Sequence, residues 1–410
     1  MVRMRGWRFV CALSICAWLA GAERAEDWVR QGREFKAKGD AASALHAFER
    51  AASLDPRSAA TEDEIGFLLA ALNRRAEAIP HFEKAVALDP RFAPAHYHLG
   101  VAYWLQADPE RSLAELQTAA RLAPADPGYR FRLGSAYYET GHYPDALHEL
   151  EEAARLRAKD PAIWNELGLT RQKQGDYRGA AEAYKRAVDL EPTNLDVRNN
   201  LGLALANSRQ AELALVQFHK VLEIDPTNET AQVNIGFTYL LRAELDKAVA
   251  QFRAVLVQRP TLAIAHYDLG LALKQKDDLE AARGELQRAL ELDPAMAEAH
   301  YTLGITDWQS GDFESAVHHM QAAVKLRADY AEAYFMLGTA LKQKGDLEPA
   351  VTALREAIRL NPNDPGPYNT LGQALRQKGD AAASQAAFAE GARAKARKDT
   401  EQAQMMRGRK

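Results

Sequence analysis

Eleven histidines, two cysteines and 56 acidic residues are the side chains of this 410-residue chain with the means to hold a metal or move a proton. Their spacing argues against both. His96 and His98 stand two apart and His318 and His319 are adjacent, whereas neighbours on one helix face sit three or four residues apart. No His-Glu-x-x-His sequence occurs, and the cysteines, Cys11 and Cys16, fall among the first residues. There is no nucleophile elbow, and every regularly placed glycine belongs to a pattern other than a phosphate loop. The carboxylates are expected on solvated helix faces. No metal, cofactor or catalytic residue is expected, and no enzyme.

The elements that carry these residues are legible in composition and period. Hydrophobic residues make up 47% and charged residues 26% of the chain, with alanine and leucine prominent, which favours folded helix. A net charge of −4 gives no footprint for nucleic acid. Residues 1–22 read separately. Arg3, Arg5 and Arg8 precede an apolar run from Phe9 to Ala20, and Ala20-Gly21-Ala22 stands before Glu23. That is the order of a secretory signal peptide and its cleavage site, and the run is short for a bilayer span. The alternatives are an uncleaved anchor, or a lipoprotein signal at Leu13-Ser14-Ile15-Cys16, where Ile15 stands in place of a small residue. Cleavage would remove both cysteines and three arginines, taking the net charge from −4 to −7. The expected location is periplasmic or secreted, with no stable membrane span after cleavage.

Glycine sets the period of the rest. Gly32, Gly66, Gly100, Gly134, Gly168, Gly202, Gly236, Gly270, Gly304, Gly338 and Gly372 recur every 34 residues. Twelve residues beyond each is an alanine or serine, as at Ala44 and Ala180. Four further on is a large apolar residue, as at Phe48, Tyr184 and Leu354, and most periods close on a proline such as Pro56 or Pro192. Within residues 331–364, Ala333, Leu337, Gly338 and Leu341 share one helix face. Gly345 is placed to end that helix with a positive φ, Asp346 to cap the next, Pro349 to sit in its first turn, and Pro362 to end it. One such helix pair cannot bury its stripe alone, so the pairs must stack.

This pattern resembles the tetratricopeptide repeat. Trp28, Gly32, Phe35, Ala44, Phe48 and Pro56 make one copy; Trp164, Leu167, Gly168, Ala180, Tyr184 and Pro192 make another. The resemblance implies an all-α, right-handed α-solenoid, a superhelix of eleven 34-residue helix-turn-helix units. These are 25–58, 59–92, 93–126, 127–160, 161–194, 195–228, 229–262, 263–296, 297–330, 331–364 and 365–398. The copies resemble those of O-linked N-acetylglucosamine transferases, whose catalytic region has no counterpart here. Trp28, Trp164, His96, His266 and His300 share one repeat position, where packing is the expected role.

In this family the second, fifth, sixth, ninth, twelfth and thirteenth positions of each first helix line a concave groove. Here that stripe would carry Phe67, Tyr97, Trp104, Phe131 and Tyr138, then Asn165, Asn199, Asn200 and Asn234, then Phe237, Tyr267, Tyr301, Trp308 and Phe335. Asparagine pairs with both groups of a peptide backbone, and aromatics supply contact area at low entropic cost. The stripe therefore fits a peptide groove, while stacking between neighbouring first helices accounts for the aromatics equally. The lysine–asparagine clamp for chaperone termini is missing, since no repeat has asparagine at the ninth position. The basic tail 399–410 reads as the end of a capping helix or as a dock for an acidic partner or anionic lipid. The resemblance implies an exported interaction scaffold for protein or peptide partners, the alternative being a regulatory or assembly subunit of an envelope enzyme or secretion complex.

Overall fold

A computed structural model describes residues 24–407; the signal-peptide reading at 1–22 lies outside them, as do Arg409 and Lys410. Helix is the only regular structure among the described residues. Two compact units part within one helix, after Val197.

The first unit contains α1 (Ala25–Ala37), α2 (Ala41–Leu54), α3 (Ala59–Ala71), α4 (Arg75–Leu88), α5 (Ala93–Leu105), α6 (Pro109–Leu122), α7 (Pro127–Glu139), α8 (Tyr143–Leu156), α9 (Pro161–Lys173) and α10 (Tyr177–Leu190). Helix α11 (Leu195–Asn207) holds the division. The second unit continues with α12 (Ala211–Ile224), α13 (Glu229–Leu241), α14 (Leu245–Gln258), α15 (Ala263–Gln275), α16 (Leu279–Leu292), α17 (Ala297–Gln309), α18 (Phe313–Leu326), α19 (Ala331–Lys344), α20 (Leu347–Leu360), α21 (Pro365–Gln377) and α22 (Ala381–Arg407). Within each unit, a first helix packs on its own second helix and that on the next first helix. Some successive first helices also touch, as α3 does α5 and α15 does α17. This is the all-α repeat expected from the 34-residue period.

The reason for the glycine is steric. A Cβ on Gly168 would lie 2.6 Å from the ring of Tyr184, and one on Gly338 2.5 Å from Leu354 Cγ and 3.1 Å from the Ala350 carbonyl. Tyr184 and Leu354 are fully buried. The same glycine-to-large-residue contact recurs in every pair from Gly32–Phe48 to Gly372–Phe388. Gly and Ala thus bring two helices close enough for one large side chain to fill the space between them.

The turn inside each pair needs a left-handed residue. Gly345 supplies it at φ 96°, as expected, and Gly39, Gly141, Gly175, Gly311 and Gly379 do the same. Asn73, Ala107, Arg209, Ala243 and Asp277 take this conformation without being glycine. Aspartates then cap many second helices: Asp40, Asp176 and Asp312 accept from the backbone N–H three residues on, at 3.0, 2.9 and 3.1 Å. Asp346 departs from the expected cap. It stands at the N-cap position of α20 but makes no side-chain cap bond, because the residue three on, whose N–H the other aspartates accept, is Pro349, which has none; its carboxylate lies 3.3 Å from Lys344 Nζ instead.

Helix α22 runs well past the length of the other second helices. Arg397 Nε donates to Asn363 Oδ1 at 3.1 Å and its Nη2 to the Pro362 carbonyl at 3.0 Å, while Asn363 Nδ2 donates to Glu401 Oε1 at 3.3 Å. Arg397 and Glu401 therefore hold this end of α22 against the loop before α21. No helix among the described residues is long and apolar enough to cross a membrane.

Candidate peptide-binding surfaces

In seven of the first helices the fourth residue bonds the loop before it. His96 Nε2 donates to the Pro90 carbonyl at 3.1 Å, Arg130 Nε to Pro124 at 2.8 Å, Trp164 Nε1 to Ala158 at 2.8 Å and Gln232 Nε2 to Pro226 at 2.9 Å. His266, His300 and Tyr368 reach the equivalent carbonyls at 3.1, 3.3 and 3.3 Å. Each ties a first helix to the loop before it. Packing alone was expected of the tryptophans and histidines. The signal in the sequence was the choice of side chain, since tryptophan, histidine, arginine, glutamine and tyrosine share an N–H or O–H donor and little else. These groups are spoken for by the fold. Many also meet a second-helix partner nineteen residues on: His96 Nδ1 lies 2.6 Å from Glu115, Arg130 Nη1 2.7 Å from Glu149, and His266 Nδ1 2.7 Å from Glu285. In α17 the partner is another histidine, His319, whose Nδ1 lies 3.2 Å from that of His300. No group of three or more histidine, cysteine or acidic side chains suited to a metal occurs among the described residues.

In the first unit, Phe67 on α3 and Tyr97 on α5 come together around His98, which the sequence offered only as a metal-ligand candidate. His98 lies 5.5 Å from the Phe67 ring and 5.6 Å from that of Tyr97, and its Nδ1 pairs with Asp63 Oδ1 at 2.8 Å. Phe67 is 38% exposed, with Lys36 Nζ 4.3 Å above its ring. Tyr97 stacks on Tyr129 at 4.8 Å. These two line an apolar cavity of about 440 Å³ between α3, α4 and α5. Trp104, under Arg132 at 5.3 Å, is half-buried beside Leu116 and Leu133. Phe131 packs on the clusters around Leu150 and Ile163, and Tyr138 lies 5.9 Å from Tyr143. Burial first, and Glu166 second, push the Tyr138 hydroxyl above its usual range; burial likewise raises the Glu166 carboxyl. On α9, Asn165 is half-buried, and its Oδ1 is enclosed without a hydrogen-bond partner.

The second unit places its candidates differently. Asn199 is buried; its Nδ2 donates to Asn228 Oδ1 at 3.2 Å, and its own Oδ1 has no partner. Asn228 in turn caps α13 through Ala231 N at 3.0 Å, so this amide braces a helix start. Asn200 and Asn234 are half-buried, and the Asn234 carbonyl accepts from Thr238 Oγ1 at 2.7 Å. Phe237 rests on the cluster of Leu240 and Phe252. Tyr301 lies 4.9 Å from Tyr330, whose ring lies 3.4 Å below the Arg327 guanidinium and whose hydroxyl burial raises to about 12. Tyr267 is raised chiefly by burial. Trp308 packs near Met320 and Leu337, its Nε1 buried without a partner, and Phe335 rests on the cluster of Leu354 and Leu371. Beside Tyr267, Asp268 is 7% exposed, and burial lifts its carboxyl to about 7. Its signal in the sequence was an acid set within an otherwise apolar stretch of α15.

Family models described as tetratricopeptide repeat or TPR repeat match residues 66–106, 93–126, 134–175, 173–208, 239–297 and 301–365, together more than half of the chain. No curated protein matches it. Among solved structures, a tetratricopeptide repeat protein from Parabacteroides merdae is similar at 15% identity with a TM-score of 0.56, over 61% of this chain and 98% of its own. Yeast Tom70 is similar at 15% identity and a TM-score of 0.46, over 90% of this chain and 91% of its own. Human IFIT1, solved as a dimer with m7Gppp-AAAA, is similar at 15% identity and a TM-score of 0.45, over 82% and 90%.

Proposed function

We propose a function that proceeds from one premise, that this chain belongs to the tetratricopeptide repeat family: it is an exported scaffold whose first-helix faces bind segments of partner polypeptides. Tetratricopeptide repeat proteins are in general non-catalytic interaction scaffolds, and no site described above supplies a nucleophile beside a base. The observation that carries the reading is a contrast in burial. The large residues under the repeat glycines are closed off, Phe82, Tyr184, Phe218 and Phe252 being at most 2% exposed. The aromatics on the first-helix stripe, among them Phe67, Tyr97, Trp104, Tyr138, Tyr301 and Trp308, remain half-buried or exposed. Packing between helices thus leaves part of each of these rings available to a partner.

The test is capture of partners from an envelope extract, followed by titration calorimetry beside thermal melts. Trp104→Ala or Tyr138→Ala in the first unit, and Tyr301→Ala or Trp308→Ala in the second, should each weaken a captured partner. A hot-spot loss of about 2 kcal/mol is roughly thirtyfold in affinity. The chain should stay folded at the assay temperature, although the Trp104 and Trp308 variants melt somewhat earlier, since both rings also rest on neighbouring clusters. Variants that lose melting temperature first, with affinity following only the folded fraction, would assign the rings to stacking. Export is supported by the order of residues at 1–22, and the protein recovered from its host should begin at Glu23; a cytoplasmic chain beginning at Met1 refutes it.

A further inference from the structure

We propose that the cavity between α3, α4 and α5 receives one bulky apolar side chain of a partner segment, and that Arg75 at its edge binds an acidic side chain beside it. This rests on the reading that the chain binds polypeptides, and it names the kind of segment bound in the first unit. The cavity of about 440 Å³ is lined by Phe67, Ala70, Phe82, Tyr97 and Leu105 among others. That volume suits a ring and the backbone beside it. Phe82 is 2% exposed, whereas Phe67 and Leu105 are 38% and 57% exposed, so the space has a closed wall and open rims.

The repeat itself shows what makes the space. Five repeats further along, the framework recurs as Phe237, Phe252 and Tyr267 in place of Phe67, Phe82 and Tyr97. There the residues equivalent to Ala70, Ala71 and Arg75 are Leu240, Leu241 and Leu245. Leu240 is 5% exposed and packs in one cluster with Phe252, Phe237 and Leu245. The first unit has two methyl groups and a guanidinium where the second has three isobutyl groups. The cavity is therefore a feature of sequence at this repeat and not a by-product of the fold.

Charge selects the neighbour of the apolar anchor. Arg75 is exposed and makes no ion pair among the described residues, although the adjacent Arg74 is held by Glu77 at 2.7 Å. The other polar groups nearby are satisfied: His98 by Asp63 at 2.8 Å and Lys36 by Glu64 at 2.6 Å. The unmatched charge at the rim is thus one guanidinium, which binds a carboxylate through a fork of parallel N–H bonds. A single fork, with Asp63 and Phe67 at the fifth and ninth positions of α3, suits an acidic side chain within a segment better than a chain terminus with its added backbone groups.

Two blocked dipeptides, acetyl-Trp-Glu-amide and acetyl-Trp-Gln-amide, test this on the whole chain by saturation-transfer NMR. The glutamate form should bind saturably and about tenfold more tightly, a difference of about 1.4 kcal/mol. Arg75→Ala should erase the difference while leaving the glutamine form unchanged. Ala70→Leu, the residue found at the filled counterpart, should weaken both at least tenfold with a normal melt. Ala71→Leu is the second filler, should Ala70→Leu melt early. Absence of saturable binding, unchanged binding in both fillers, or a glutamate preference that survives Arg75→Ala overturns the proposal. So does acetyl-tryptophan with a free carboxylate outbinding the glutamate dipeptide. If partners captured from extract are lost on Trp308→Ala but kept by the filled variants, the scaffold reading stands and the pocket fails. If every variant keeps them, the scaffold reading fails instead.

Discussion

Asp268 and His319 pull the pH dependence of the second unit in opposite directions. Asp268 is buried without an ion-pair or hydrogen-bond partner among the described residues, and burial raises its carboxyl to about 7. The folded state then holds that proton more tightly than the unfolded chain, whose carboxyl titrates near 4. Stability is complete below about pH 4 and declines as pH rises through 7. His319 is lowered to about 4 by burial, then by His300, His318 and Arg283, with Asp312 opposing. Arg283 is itself held by Asp307 Oδ1 at 2.8 Å, and the far Nε2 of His319 stands 3.9 Å from Asp307 Oδ2. A histidine held neutral contributes stability above its unfolded value of about 6.5, lost as pH falls towards 4. The two slopes overlap and offset one another. Urea melts of Asp268→Asn should show added stability at pH 8 and a midpoint that now falls on acidification between pH 7 and 4. His319→Gln, taking the residue found at the same place in Gln217 and Gln251, should leave the opposite slope exposed. A variant pair with unchanged profiles would count against both burial arguments.

At the scale of helix and helix pair, the sequence was most legible where one position recurs. A glycine every 34 residues located each close approach, and Gly345, Pro349 and Pro362 act where the pattern put them. Legibility failed where a role depends on a neighbour in space. The fourth-position donors find carbonyls in the loop before their helix, and His98 reaches Asp63 from one repeat to the one before it. Of the aromatic stripe, the register was readable but the cavity was not, because it arises from what Ala70 and Ala71 lack. The glycines themselves divide into two physical classes. Gly168→Ala would set a methyl 2.6 Å from the ring of the fully buried Tyr184 and should cost about 1–3 kcal/mol or more by overpacking. Gly284 lies within α16 with nothing within 4 Å of an added Cβ, so Gly284→Ala should gain up to about 1 kcal/mol from helix propensity. Opposite shifts in denaturant midpoint check the pair together.

At the scale of the molecule, the main contacts within each unit run inside a repeat or between adjacent repeats. Stability should therefore approximate a sum of repeat terms and nearest-neighbour interfaces. Deleting residues 229–262, which removes α13 and α14 together, should leave a helical protein with a cooperative melt. Deleting α13 alone strands α14 without its partner and the glycine contact between Gly236 and Phe252, and should yield a broad, low melt by circular dichroism. Equal melts for the two deletions would contradict an additive stack. The contact of Arg397 with the Pro362 carbonyl and Asn363 fits the same logic, since it ties α22 to the loop just before its own partner helix α21.

The left-handed turns at Asn73, Ala107, Arg209, Ala243 and Asp277 bear on time as well as on energy. A side chain held at positive φ carries backbone strain of about 1–2 kcal/mol that glycine avoids, and strain stored in a turn is released when the turn opens. Amide protons flanking these five turns should therefore trade with solvent deuterium ahead of those beside Gly39, Gly141, Gly175, Gly311, Gly345 and Gly379. Two of the five, Asn73 and Ala107, end the very helices, α3 and α5, that wall the Phe67–Tyr97 cavity. Early exchange at those two turns would set a local opening beside that cavity.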